Sequence, residues 1–179
     1  MSEVFWVVDK NDFPRFPVYG KEELHSNNYI HRGVHVFIEV FGGYFILQKK
    51  AKHTENGGLL SSSVSGHVRY GESYIEAAIR EAKEELGLTI DPFELEEVAY
   101  LQPCKETSNE FVKLYSYLLD PREEIIRINE SELEGIIIMP FREIIDDVSS
   151  NPDKYSPAFR ILLNIFITQN NVEDCYVLS

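Results

Sequence analysis

The chain is short of positive charge. Its 179 residues include 17 Lys and Arg against 30 Asp and Glu, a formal net charge of −13. Nucleic-acid polymers are bound through basic surfaces, so that class of partner is excluded. A small nucleotide is not excluded, because a bound cation can supply the missing charge. Cysteine is scarce: Cys104 and Cys175 stand alone, without metal-type spacing, and read as two reduced thiols of a cytoplasmic protein. No apolar run approaches a membrane span, since Gly135 to Pro140 is far too short. The opening MSEVFWVVDK has neither the basic region nor the long apolar region of a secretory signal. There is no internal repeat and no low-complexity tract. Apolar residues at 44% and charged residues at 26% are ordinary for a soluble globular chain. One domain over residues 1–179 with a substantial core is therefore expected.

The informative stretch is GHVRYGESYIEAAIREAKEELGL, residues 66–88. Gly66, Glu72, Arg80, Glu81, Glu84, Glu85 and Gly87 stand at fixed offsets within it. At roughly 7% per position, a chance match is on the order of 10⁻⁸ per register. The spacing predicts a loop feeding a helix. Ser73 followed by Glu76 is a capping box that sets the helix start, and Gly87 tolerates the left-handed conformation that ends it. At 100° per residue, Ile75, Ala78, Ile79, Ala82 and Leu86 share a face that should pack on a sheet. Glu81, Glu84 and Glu85 gather on another face, where like charges repel. A hard divalent cation such as Mg²⁺ relieves that repulsion, because it takes carboxylate, water and phosphate oxygens.

The stretch resembles a complete Nudix box, G-x5-E-x7-R-E-U-x-E-E-x-G-U, with Ala82 and Leu88 at the apolar U positions. The resemblance implies an α/β fold, an α/β/α sandwich around a mixed β-sheet. It also implies that Glu81, Glu84 and Glu85 face a Mg²⁺ (or Mn²⁺) ion, that the Gly66 carbonyl is a further ligand, and that these glutamates are catalytic. Glu81 is a candidate general base, while Glu72 and Arg80 look like organisers of the loop and helix. A further acidic ligand comes from a later loop, for which Glu110, Glu130, Glu132 and Glu134 are all candidates. Lys50 and Arg69, with Lys49 and Lys52 nearby, are the cations available to substrate phosphates. Phe111, Tyr115, Tyr44 and Tyr70 are the aromatic rings available to stack a base, with core packing as the competing fate.

The flanks VVDKNDFPR, HRGVHVFIE, LQKK and GGLLSSSVSGHVRYGE resemble the branch related to isopentenyl-diphosphate isomerases. In those enzymes a cysteine precedes the Gly-His pair; here Ser65 precedes Gly66-His67. The isomerase metal site uses histidines matching His31 and His67, with His25 as a further candidate, and glutamates near Glu110. One expected acid is Ser108 here. A hydroxyl is a poor substitute for a thiol at a proton-transfer position, and the box is intact. The expected function is thus a metal-dependent hydrolase of a nucleoside diphosphate derivative or related small diphosphate. The alternatives are an isoprenoid diphosphate isomerase and a non-catalytic nucleotide sensor. Assembly as a homodimer is left open.

Elsewhere the pattern predicts strands at Val4–Val8, Val34–Val40, Tyr44–Lys50, Leu95–Leu101 and Glu110–Leu118. Shorter strands are expected at Ile125–Ile128 and Gly135–Met139. Asn11–Tyr19 reads as irregular and Ala51–Ser65 as a long loop. Helices are expected at Phe141–Val148 and Ser156–Thr168, the second with Pro157 in its first turn.

Overall fold

The computed structural model describes residues 3–170 apart from 121, 123 and 124. Among the described residues, nine strands run in the order β1 (Val4–Val8), β2 (Pro14–Tyr19), β3 (His31–Val40), β4 (Tyr44–Lys50), β5 (Leu60–Ser61), β6 (Val64–His67), β7 (Glu96–Leu101), β8 (Glu110–Leu119) and β9 (Leu133–Pro140). Four helices, α1 (Lys21–Ser26), α2 (Tyr74–Leu86), α3 (Phe141–Ser150) and α4 (Pro157–Gln169), are set among them. Strands β3 to β9 form a seven-stranded mixed sheet in which β3 and β8 are parallel.

Alternation along the central strands decides the layers. Val34, Val36 and Ile38 of β3, with Tyr115, Tyr117 and Leu119 of β8, pack under the Ala77, Ala78, Ala82 and Leu86 face of α2. The opposite face carries Phe37, Val112 and Leu114 against Phe141, Ile144, Phe159, Leu162 and Phe166 of α3 and α4. The sheet is thus covered on both sides, as an α/β/α sandwich requires. A small third cluster, Phe5, Val7, Val18 and Leu24, seats the β1–β2 hairpin and α1.

The Phe41-Gly42-Gly43 turn is present, yet β3 and β4 pair only at Glu39↔Phe45 and Val40↔Tyr44 before they splay. β6 takes the near half of β3, and β5 and β9 take β4. Ser63 bridges the opening: its hydroxyl accepts from the Ile38 N–H at 2.7 Å and donates to the Ile46 carbonyl at 2.5 Å. Three local readings are corrected. Pro14–Tyr19 is a strand, which Pro14 and Pro17 tolerate because it lies at an edge. The Ala51–Ser65 segment contains β5 and the start of β6. Ile125–Ile128 is not a strand; it runs along α2, where Arg127 N–H bonds the Leu86 carbonyl and Asn129 N–H bonds that of Glu85. Cys175 lies outside the described residues, and no described helix is long and apolar enough to cross a membrane.

Candidate active site

Helix α2 starts and stops where its sequence dictates. Ser73 Oγ accepts from the Glu76 N–H at 3.3 Å, while the Glu76 carboxylate accepts from the Ser73 N–H at 2.8 Å. Gly87 closes the other end with φ of 71°. The box glutamates then diverge. Glu81 and Glu85 are buried at 6% and 0% exposure, facing the end of the sheet where β4 and β6 finish. Glu84 lies outward, where its carboxylate accepts from Arg69 at 3.0 Å and Arg80 at 3.1 Å. In this conformation it stands apart from the other two.

The third carboxylate beside them is Glu132. One carboxylate oxygen from each of Glu81, Glu85 and Glu132 lies within 4.8 Å of the others. Glu132 arrives because the segment before β9 is tied to the end of α2 and to the residue that follows β4, where Ala51 N–H bonds the Glu132 carbonyl. Of the other acids considered for this position, Glu134 pairs with Lys49 at 2.7 Å, and Glu110 belongs to a second cluster described below. Glu130 is not a member of either cluster.

Burial beside a like charge shapes these groups. Glu81 is pushed up to about 7, first by burial and then by Glu85, with Arg80 opposing at 2.6 Å. Burial also pushes Glu85 up, against the Lys50 ammonium at 2.9 Å and the Ser65 N–H at 3.0 Å. Such a set of oxygen donors is short of positive charge and fits a hard divalent cation. Arg80 and Glu72 organise the entry to the helix. Glu72 accepts from Arg80 Nε at 2.6 Å and from the Arg69 N–H at 2.9 Å, and Arg80 donates to the His67 carbonyl at 2.9 Å.

Gly66 is required by space. A β-carbon there would lie 2.1 Å from Glu81 Cδ. Gly66→Ala is therefore expected to displace Glu81 and lower kcat by about 10²-fold, as misplacements of about 1 Å do, while circular dichroism stays native. Unaltered turnover would show that this close approach is not needed.

The second cluster forms at the same end of the sheet. The β3–β8 register sets His31 beside Glu110, and the β3–β6 register sets His67 beside Gly33. A β-carbon on Gly33 would lie 2.1 Å from Glu110 Oε2, so glycine leaves room for that carboxylate. Glu110 Oε1 is 3.2 Å from His31 Nε2 and 3.1 Å from His67 Nε2. His25, on α1, brings its Nε2 to 3.2 Å from that of His67. His31 Nδ1–H donates to the Tyr29 carbonyl at 2.8 Å, which aims Nε2 inward. Burial works against the charged forms here, but the neighbouring imidazoles of His67 and His31 hold Glu110 well below the usual carboxylate range, and Glu110 raises His31 in turn.

Both clusters border one cavity of about 320 Å³, lined among others by Lys21, His35, Lys50, Gly66, His67, Glu81, Glu110 and Glu132. A larger groove of about 910 Å³ between α3 and α4 contains none of the box residues.

The family model for the NUDIX domain matches residues 29–159. The chain belongs to the Nudix family. Among curated relatives, an isopentenyl-diphosphate Delta-isomerase 2 from Photorhabdus laumondii is 29% identical over 168 residues, covering 92% of each chain. An uncharacterized Nudix hydrolase from Yersinia pestis is 23% identical over 155 residues, 86% of this chain and 80% of that one. The Nudix domain of Shewanella oneidensis NrtR, solved with ADP ribose, shares the fold with a TM-score of 0.60 at 10% identity, covering 78% of this chain and 86% of that one.

The structure brings Gly66, Glu81 and Lys50 to the cavity, sets Glu85 behind them against Lys50 and Glu81, and leaves Glu84 and Arg69 paired outside it. Arg69 spans Glu84 and Glu3, and it is not among the residues lining the cavity. Phe111 and Tyr115 are core residues, and Tyr70 stacks on Trp6 at 4.5 Å. Lys21 and His35 also line the cavity, and no sequence motif marks them. Lys21 opens a six-residue helix too short for periodicity to reveal. His35 sits in an apolar strand with Nδ1 2.7 Å from Ser62 Oγ, and burial lowers it to about 4.

Proposed function

We propose that this Nudix protein is a divalent-cation-dependent hydrolase of a phosphoanhydride, acting on a nucleoside diphosphate derivative or a related small diphosphate. The observation that carries the reading is the convergence of buried Glu81 and Glu85 with half-buried Glu132, beside a cavity that Glu81 and Glu132 line together with Lys21 and Lys50. Mg²⁺ or Mn²⁺ bound by these carboxylates, with the Gly66 carbonyl and an inward-turned Glu84 as further donors, would neutralise the diphosphate and ease attack by water. Lys21 and Lys50 bind and orient the phosphate oxygens. Glu81 accepts the proton of the attacking water as the new P–O bond forms and the bridging P–O bond breaks. Arg80 holds Glu81 in place from the far side. The histidine cluster with Glu110 offers nitrogen-rich donors suited to a second, softer divalent cation. The cytoplasm is the proposed location.

The test is turnover of purified protein with Mg²⁺ or Mn²⁺ on a panel of nucleotide and isoprenoid diphosphates. Release of a phosphate product that stops with chelator is expected; cation-independent release or none on any substrate would refute the reading.

The isomerase reading is favoured by the name of the Photorhabdus relative and by the histidine cluster. Against it stands Ser65, whose hydroxyl accepts from Gln48 at 2.9 Å and lacks the acidity of a thiol. Negligible conversion of isopentenyl to dimethylallyl diphosphate is expected, and clear conversion by the unaltered chain would reverse the choice.

A further inference from the structure

The connection between β4 and β5, residues 51–59, borders the cavity through Thr54, Glu55 and Asn56. Its backbone bonds close on itself and on Lys50: Thr54 N–H to Ala51, Gly57 N–H to Thr54, Gly58 N–H to Lys50 and Leu59 N–H to Asn56. Glu55 reaches across from this loop. One of its carboxylate oxygens lies 3.4 Å from His25 Nε2, and the other accepts from Ser108 Oγ at 3.2 Å. Ser108 has φ of 52° and sits in the turn that leads into β8 and Glu110. The carboxylate is therefore held between the third histidine and the loop on the opposite wall.

We propose that Glu55 is a loop-borne ligand of the histidine cluster, positioned by Ser108, so that a cation bound there closes residues 51–59 over the cavity. This rests on the reading of His25, His31, His67 and Glu110 as a cation site. The spacings support it. The three histidine nitrogens lie within 4.8 Å of one another, His31 and His67 each lie 3.1–3.2 Å from Glu110, and Glu55, 3.4 Å from His25 but outside the histidine group, would join the ion by a small inward movement of its loop. Charge agrees as well. Three neutral imidazoles and Glu110 leave a divalent ion with one uncompensated positive charge, which a second carboxylate cancels. As a plain surface ion pair, Glu55–His25 would be nearly without effect, since half-exposed pairs contribute little. A ligand role instead couples cation occupancy to entry of substrate past the loop.

The experiment titrates the full chain with Co²⁺ in excess Mg²⁺, so that the carboxylate cluster is already satisfied. It follows the visible absorption of Co²⁺ and, in parallel, trypsin cleavage after exposed Lys52. The native chain is expected to give a saturable Co²⁺ spectrum and slower cleavage at Lys52 when Co²⁺ is bound. His25→Ala and His67→Gln should abolish the spectrum. Glu55→Gln should keep the imidazole signature but weaken binding about 10–100-fold and lose the protection, with Ser108→Ala intermediate. Equal affinity and equal protection in Glu55→Gln would overturn the loop-borne ligand while leaving the histidine site standing. No spectrum in the native chain, or one that survives His25→Ala and His67→Gln, would overturn the site itself and the closure with it.

Discussion

Glu81→Gln is expected to lower kcat by about 10²–10⁴-fold, the usual contribution of a positioned proton acceptor. Glu72→Gln should stay within about tenfold of the native rate. Both residues belong to the box and both contact Arg80 at 2.6 Å, so sequence position does not separate them. Their surroundings do. Glu81 borders the cavity beside Glu85 and Glu132. Glu72 precedes α2 and spends both oxygens on Arg80 and on the Arg69 N–H. It therefore acts on the chemistry through the loop alone.

The pH dependence follows from the same environment. Burial and Glu85 hold Glu81 at about 7 in the cation-free chain, and a cation must displace that proton. Apparent Mg²⁺ affinity should fall about tenfold per unit below pH 7 and level off above it. Calorimetric titrations at pH 6, 7 and 8 measure this. A Glu72 variant impaired as severely as the Glu81 variant, with native folding, would mean that the proton acceptor has been misplaced.

How far the sequence carried the structure depends on how local each determinant is. The limits of α2 were legible because Ser73, Glu76 and Gly87 act within one turn of the helix ends. The layer order was implied by the resemblance, and the apolar residues on both faces of β3 and β8 agree with it. The divergence of Glu84 was not. At 100° per residue it sits 60° from Glu81 on one side, while Glu85 sits 40° away on the other. Whether that arc points inward depends on where β6 and the 125–132 segment cover the helix, which no local pattern encodes. The choice of Glu132 over Glu130 and Glu134 has the same character. It is set by the irregularity where Lys49 and Lys50 meet β9, which turns Glu134 outward to Lys49. The resemblance had pointed to His25, but only a six-residue helix, packed through Leu24 on Phe5 and Val7, delivers it to His67.

Lys50→Met should carry the largest cost in stability. Glu85 is fully buried, and Lys50 is the cation beside it at 2.9 Å. Removing one member of a buried pair leaves the other charge without compensation, at a cost of about 3–5 kcal/mol. The Ser65 N–H bond to Glu85 remains, so the carboxylate is not stripped of partners altogether. The sign with pH is fixed by linkage. Burial already raises Glu85 in the folded chain, and losing Lys50 raises it further. A carboxyl raised in the folded state holds its proton where the unfolded chain has released it, so stability falls as pH rises above the unfolded value. The penalty should therefore be larger at pH 8 than at pH 5. Mg²⁺ should also shrink it at pH 8, because a cation between Glu81, Glu85 and Glu132 replaces the lost ammonium charge. Urea unfolding of both chains at pH 5 and 8, with and without Mg²⁺, gives the four differences. A penalty that is independent of pH and of Mg²⁺ would mean that Lys50 stabilises the chain by packing its stem, and that Glu85 is not the buried charge it neutralises.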